Sequence, residues 1–154
     1  MGIKIIFADV DGVLNTYDTK RFVYGFTFVD TRKVLRLREI VERTGAQLVL
    51  SSTWRITDTP IHKLCYEALK AEFERVRCPV WVDCTPHLPG AKRWREIYAW
   101  LSTHPEVEDF IILDDWADEL LPYFDKLVQT NPRYGLNKER TELAIQMLGE
   151  IENV

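Results

Sequence analysis

Two apolar runs that end in carboxylates constrain this chain more than any other feature. Ile3-Lys4-Ile5-Ile6-Phe7 leads into Asp9-Val10-Asp11-Gly12, and far along the chain Phe110-Ile111-Ile112-Leu113 leads into Asp114-Asp115. Such runs suit the buried strands of a parallel sheet. Ligands bind beyond the carboxyl ends of those strands, so both runs deliver acids to the functional edge of the sheet. Asp9 and Asp11 stand in i, i+2 register and are expected to point the same way, with Gly12 letting the backbone turn sharply behind them.

Charges gathered in this way repel one another. Unit charges about 5 Å apart at an effective dielectric near 20 repel by roughly 3 kcal/mol per pair. Three or four converging carboxylates would cost on the order of 10 kcal/mol, comparable to the stability of a domain. A cation is therefore expected. The candidates are hard oxygens with no His or Cys among them, which favours Mg²⁺ over zinc or copper.

Asp9-Val10-Asp11-Gly12-Val13 resembles the first motif of the haloacid dehalogenase (HAD) superfamily, most of whose members are Mg²⁺-dependent phosphatases. Leu48-Val49-Leu50-Ser51-Ser52 is similar to the second motif, Lys92 or a basic neighbour to the third, and Ile112-Leu113-Asp114-Asp115 to the fourth. The resemblance spans nearly the whole chain. It implies an α/β three-layer sandwich around a central parallel sheet of order 5-4-1-2-3, which would bring Asp9, Ser51 and Asp114 together. It also implies hydrolysis of phosphomonoesters, with Asp9 as the nucleophile that forms an aspartyl-phosphate and Asp11 as general acid and then base. Mg²⁺ would rest on Asp9, the backbone carbonyl of Asp11, and Asp114, supported by Asp115 and Asp118. Ser51 would donate to a phosphoryl oxygen and Lys92 would offset its charge. Ser51 and Ser52 compete for the first of these roles, and Ser51 is preferred as the first hydroxyl after the apolar run. Lys92 competes with Arg93 and Arg95 for the second. Ser52, Arg55 and Arg93 are further candidates for contact with substrate.

Composition agrees with this reading. The 154 residues fit one domain, 1–154, and 46% hydrophobic with 29% charged residues is ordinary for a soluble globular chain. A net charge of -4 favours no polyanionic partner. Cys65, Cys78 and Cys84 lack metal-ligand spacing and read as reduced thiols. No apolar run reaches the length of a membrane span, and Met1-Gly2-Ile3-Lys4 leads straight into a strand, so the cytoplasm is the expected compartment.

Elements alternate along the chain. Strands are expected near 3–8, 46–51, 79–82, 109–113 and 126–129. Helices are expected from an Asp30 or Thr31 cap to Gly45, from Pro60 to Arg77, from Ala91 to Thr103, and from an Asn137 cap to Leu148. A short helix breaks near Pro122. Trp81, Trp94, Tyr98 and Trp100 read as packing residues, whereas Trp54 and Trp116 follow the second and fourth motifs on the active-site side. His62, His87 and His104 are scattered and read as structural or solvent-facing.

The gaps between motifs bear on substrate size. Asn15 to Val29 holds only a hairpin-sized flap, and Thr53 to Gly90 is used by one helix and one strand. The family's small-molecule enzymes commonly carry a cap domain in one of these gaps, so the resemblance implies a capless, open site. Ser51-Ser52-Thr53-Trp54-Arg55 is similar to small bacterial and phage proteins related to RNA-repair phosphatases, although the polynucleotide phosphatases have a Gly-Arg directly after the serine of the second motif. The expected partner is a phosphorylated substrate: a nucleotide or other small phosphomonoester, a nucleic-acid end gripped by Arg55, Arg93 and Arg95, or a phosphoprotein. Two other readings are a non-catalytic binding or scaffold protein and a receiver-like phospho-accepting module. The receiver module needs a hydroxyl residue ending strand four and a lysine ending strand five, where this chain has Asp114-Asp115 and Val128-Gln129-Thr130.

Overall fold

The computed structural model describes residues 2–152. Its centre is β1 (Ile3–Ala8), whose Ile5, Ile6 and Phe7 are wholly buried. Strand β1 pairs in parallel with β4 (Gln47–Leu50) on one side and with β6 (Val107–Asp114) on the other. Beyond these lie the edge strands β5 (Asp83–Cys84) and β7 (Leu127–Gln129), giving a five-stranded sheet of order β5-β4-β1-β6-β7. Counted among the sheet's own strands, this is the 5-4-1-2-3 order expected from the family.

Alternation along the strands sends side chains to two separate cores. Ile6, Ala8, Leu48 and Leu50 pack with α1 (Thr31–Thr44), α2 (Pro60–Arg75) and α4 (Lys138–Leu148). Ile5, Phe7, Val49 and Ile112 face α3 (Arg93–Ser102) and the 3₁₀ segment Ala117–Lys126. Helices therefore cover both faces, and the molecule is a three-layer sandwich. Helix ends follow local chemistry. Asp30 accepts from the Arg32 N–H to cap α1, and Asn137 accepts from the Arg140 N–H to cap α4. Pro122 interrupts the 3₁₀ segment, as expected.

One strand lies elsewhere than expected. Residues 79–82 are not a strand, and the pairing falls at Val49 with Asp83 and Leu50 with Cys84. Pro79 has no N–H to give a ladder, and Trp81 is drawn into the core against Phe73 and Tyr66, so regular pairing begins only after it.

Between β1 and α1 the chain forms a small hairpin of β2 (Phe22–Val23) and β3 (Phe26–Thr27). Its two-residue turn, Tyr24 and Gly25, has positive φ at both positions, as a tight hairpin of this hand requires. Arg21 fastens the flap to the body through Glu72 of α2.

Candidate active site

Strand β1 stops at Ala8, so Asp9 is the first residue beyond it, and Asp114 is the last residue of β6. The Asp9 N–H donates to the Leu113 carbonyl, which ties the two strand ends together. One carboxylate oxygen each from Asp9, Asp114 and Asp115 lies within 4.8 Å of the others. Arg93, in the first turn of α3, reaches into the group: its Nη1 lies 3.0 Å from Asp9 Oδ2 and 2.7 Å from Asp114 Oδ2. Lys92 precedes the helix as its exposed cap. The basic residue that meets the acids is thus Arg93, one position later than preferred.

One guanidinium does not balance three buried or half-buried carboxylates. Burial, reinforced by Asp114 and only partly opposed by Arg93, pushes the Asp9 carboxyl up to about 8. Burial and Asp114 also push Asp115 up to about 6. Burial works against the charge on Arg93, yet Asp9 and Asp114 raise its pKa further. The acids are thus held at a cost that a hard divalent cation would relieve, and their all-oxygen donor set suits Mg²⁺.

The loop after β1 differs from the sequence expectation. Because the strand ends before Asp9, the pair Asp9 and Asp11 does not share a strand face. The chain turns instead, with Val13 and Leu14 N–H groups both donating to the Val10 carbonyl. Asp11 is exposed and lies outside the close carboxylate group. Its carboxylate accepts from Asn15 Nδ2 at 2.9 Å and from Trp54 Nε1 at 3.2 Å. Gly12 has φ 81°, and a Cβ there would stand 2.5 Å from Asp115 Oδ2, so glycine is required both for the turn and for the approach of the two acidic loops.

The second motif divides its two hydroxyls. The Ser51 N–H donates to the Ala8 carbonyl, which sets Ser51 beside Asp9 across the sheet. Its Oγ is buried with no hydrogen-bond partner among the described residues. Ser52 is equally buried, but its Oγ accepts from the Trp54 N–H and caps a 3₁₀ turn. A buried hydroxyl without a partner beside an acid cluster is able to donate to a ligand oxygen.

The Arg55 side chain is almost wholly buried. It donates to the carbonyls of Thr85, Pro86 and Ser52 and pairs with Glu96 at 2.8 Å, with only 5% of its side chain exposed. It joins two loops and is closed to substrate. Arg95 lies over the Trp94 ring, and Asp118 is exposed and outside the close carboxylate group. Trp116 is also exposed.

Two residues that sequence reasoning passed over belong here, with a third, His62, that it read as structural or solvent-facing. Asn15 holds Asp11 and also accepts from the Gly12 N–H, and the only signal for it was an amide side chain within reach of a glycine turn. Thr130, just after β7, donates its hydroxyl to the Gly12 carbonyl and its N–H to the Asp114 carbonyl. His62 lines a cleft of about 530 Å³ that opens beside Asp11 between the flap and the start of α2.

The family model described as the HAD domain in Swiss Army Knife RNA repair proteins matches residues 5–141. The chain belongs to that family, a branch of the HAD fold whose domains are generally hydrolases of the phosphatase type. No curated protein and no solved structure matches the chain. No helix among the described residues is long and apolar enough to cross a membrane.

Proposed function

We propose that the chain is a single-domain, capless, Mg²⁺-dependent phosphomonoesterase that works through an aspartyl-phosphate. The observation that carries this reading is the convergence of Asp9, Asp114 and Asp115 within 4.8 Å, an arrangement that membership of a phosphatase-type family explains and a packing role does not. Asp9, Asp114 and Asp115, with the backbone carbonyl of Asp11, would hold Mg²⁺. When bound, the ion supplies the positive charge that lets a phosphate dianion approach three acids.

Each remaining step belongs to the chain's own residues. The Asp9 carboxylate attacks phosphorus, an O–P bond forms to Asp9, and the bond to the leaving oxygen breaks. Asp11, held by Asn15 and Trp54 at the mouth of the cleft, gives its proton to that oxygen. It then takes a proton from the water that attacks phosphorus and frees Asp9. Arg93 keeps Asp9 aligned with Asp114 and offsets charge on the transferring group. The Ser51 hydroxyl donates to a phosphoryl oxygen. The substrate is a phosphomonoester; the family's description points to RNA, and a phosphorylated RNA end is the macromolecular form it takes.

Release of phosphate from a generic phosphomonoester, measured with Mg²⁺ and again with a chelator, tests the reading. Wild-type protein should turn over only with the metal, and Asp9→Asn should be inactive because its uncharged amide is a poor nucleophile. Wild-type turnover by Asp9→Asn would remove Asp9 from the nucleophile's role, and absence of any turnover would leave the binding-protein reading.

A further inference from the structure

Two of the arginines expected to grip a polyanion are committed elsewhere, Arg55 to Glu96 and Arg93 to the acid cluster, while Arg95, over the face of Trp94, is exposed and does not line the cleft beside Asp11. The space beside Asp11 has a different chemistry. Its lining includes Phe26 and Thr27 from the flap, Trp54 from the second motif, and Asp58 and His62 around the start of α2. Among the described residues neither Lys nor Arg lines it, and Asp11 and Asp58 are acids. The Phe26 and His62 rings lie with centroids 5.8 Å apart and are tilted by 48° to one another. His62 Nδ1 lies 3.1 Å from Asp58 Oδ1. A carboxylate accepts only, so the ring donates its Nδ1 proton to Asp58 and its orientation is fixed by that bond.

Resting on the phosphatase reading above, we infer that this cleft is the leaving-group subsite, and that Phe26, His62 and Asp58 select an uncharged flat ring bearing hydrogen-bond donors, a nucleoside. Three observations converge on this occupant. At about 530 Å³ the cleft has the size of a small-molecule site rather than of a groove for a chain. Its aromatic rings offer stacking, which tolerates any base. The Asp58 carboxylate is an acceptor that suits ribose hydroxyls or exocyclic amino groups, while Asp11 and Asp58 together repel a second anionic group placed inside. Asp11 lines the cleft two positions beyond Asp9, so a nucleoside oxygen leaving from phosphorus enters beside the proposed acid. The nucleoside comes either from a free nucleotide or from the last residue of an oligonucleotide whose remaining chain lies outside the cleft.

The test compares kcat/KM for adenosine monophosphate, glycerol phosphate and phosphoglycerate in the Mg²⁺-loaded protein. The nucleotide should exceed glycerol phosphate by about tenfold or more, the scale of base stacking on an aromatic ring, with phosphoglycerate poorest because its leaving group is anionic. Phe26→Ala and His62→Ala should each reduce the ratio of nucleotide to glycerol phosphate several-fold or more. Equal values for nucleotide and glycerol phosphate, or a ratio that both variants retain, would overturn the subsite. A terminally phosphorylated oligonucleotide supplies the second source: an advantage over the mononucleotide assigns the subsite to chain ends, and parity assigns it to free nucleotides. If the wild type hydrolyses none of these, calorimetric titration of Asp9→Asn with adenosine monophosphate and with glycerol phosphate separates the two claims. Preferential nucleotide binding that Phe26→Ala abolishes would sustain the subsite while the phosphatase reading fails, and absence of preference would overturn the subsite itself.

Discussion

Two buried acidic centres in this molecule are built on opposite plans. Glu72 of α2 accepts from Arg75, Arg21 and the Thr31 hydroxyl at distances from 2.7 Å upward. Burial alone would raise its pKa, but the hydrogen bonds from Arg75, Arg21 and Thr31 prevail and hold the carboxyl down near about 2. Asp9 has one guanidinium, which it shares with Asp114, and is pushed up to about 8. A fold that satisfies one buried carboxylate so fully does not leave three others short by accident. The satisfied centre holds the flap to the helices, and the unsatisfied one is where the proposed cation and phosphate would bind.

This contrast breaks most visibly on neutralising the acid at the needy centre. Asp9→Asn imitates the protonated form that the metal-free fold prefers, so at pH 8 without metal it should raise stability, by up to a few kcal/mol for shifts of this size, while activity is lost. Thermal melts of wild type and variant with a chelator check this. A variant less stable than wild type would mean that Asp9 is a satisfied structural acid after all.

Acidity should pull the two centres in opposite directions. With their pKa values raised, Asp9 and Asp115 are protonated more readily in the folded chain than in the unfolded one, so they weaken the metal-free fold as pH rises from about 4 toward 8. Glu72 has a lowered pKa, so its contribution is present above its ordinary value and is lost as pH falls toward about 2. These three groups together should therefore place the stability maximum of the metal-free protein at about pH 4, with decline on either side. Saturating Mg²⁺ should flatten or reverse the alkaline limb alone, because the ion binds the ionised acids. Denaturant melts across pH, with Mg²⁺ and with chelator, measure both limbs; an alkaline limb indifferent to Mg²⁺ would show that the ion does not sit on these acids.

At the satisfied centre the expected change has the other sign. Glu72→Gln keeps the size of the side chain but removes the charge that Arg21 and Arg75 share, and should lower stability by about 2 kcal/mol at neutral pH, the worth of hydrogen bonds to a charged group. The loss should be read from denaturant midpoints with chelator present, so that metal binding does not enter. Stability unchanged within error would show that the clasp is replaced by solvent.

The acid centre was the more legible of the two because its signals are local. An apolar strand followed at once by acids marks Asp9 and Asp114, and the sheet order brings them together. What could not be read depends on phase and on partners distant in sequence. Lys92 and Arg93 differ by one position. The helix begins at Arg93, so Lys92 keeps an extended backbone and stays exposed while Arg93 turns toward the acids. Arg55 looked free in the sequence because Glu96 and the Thr85 carbonyl, its partners, lie on other elements. The strand expected at 79–82 was displaced by the burial of Trp81, a tertiary demand that local pattern does not carry.

The smallest effects should come from the neighbouring serines, which repeat the contrast within one motif. Ser52→Ala removes the acceptor for the Trp54 N–H and with it the cap of the 3₁₀ turn, at a cost of about 1 kcal/mol. Ser51→Ala removes a buried hydroxyl that has no partner, so the fold should lose nothing and can gain a few tenths of a kcal/mol from not burying it. Activity should rank the pair in reverse. Ser51→Ala should lower kcat/KM by about tenfold or more, because a donor aimed at developing negative charge is lost. Ser52→Ala should show the smaller kinetic change, reaching the site only through the turn that carries Trp54 and thus Asp11. Melts and kinetics on both variants decide the matter. A Ser51→Ala protein that is destabilised yet fully active would make Ser51 a structural hydroxyl and hand the phosphate contact to another donor.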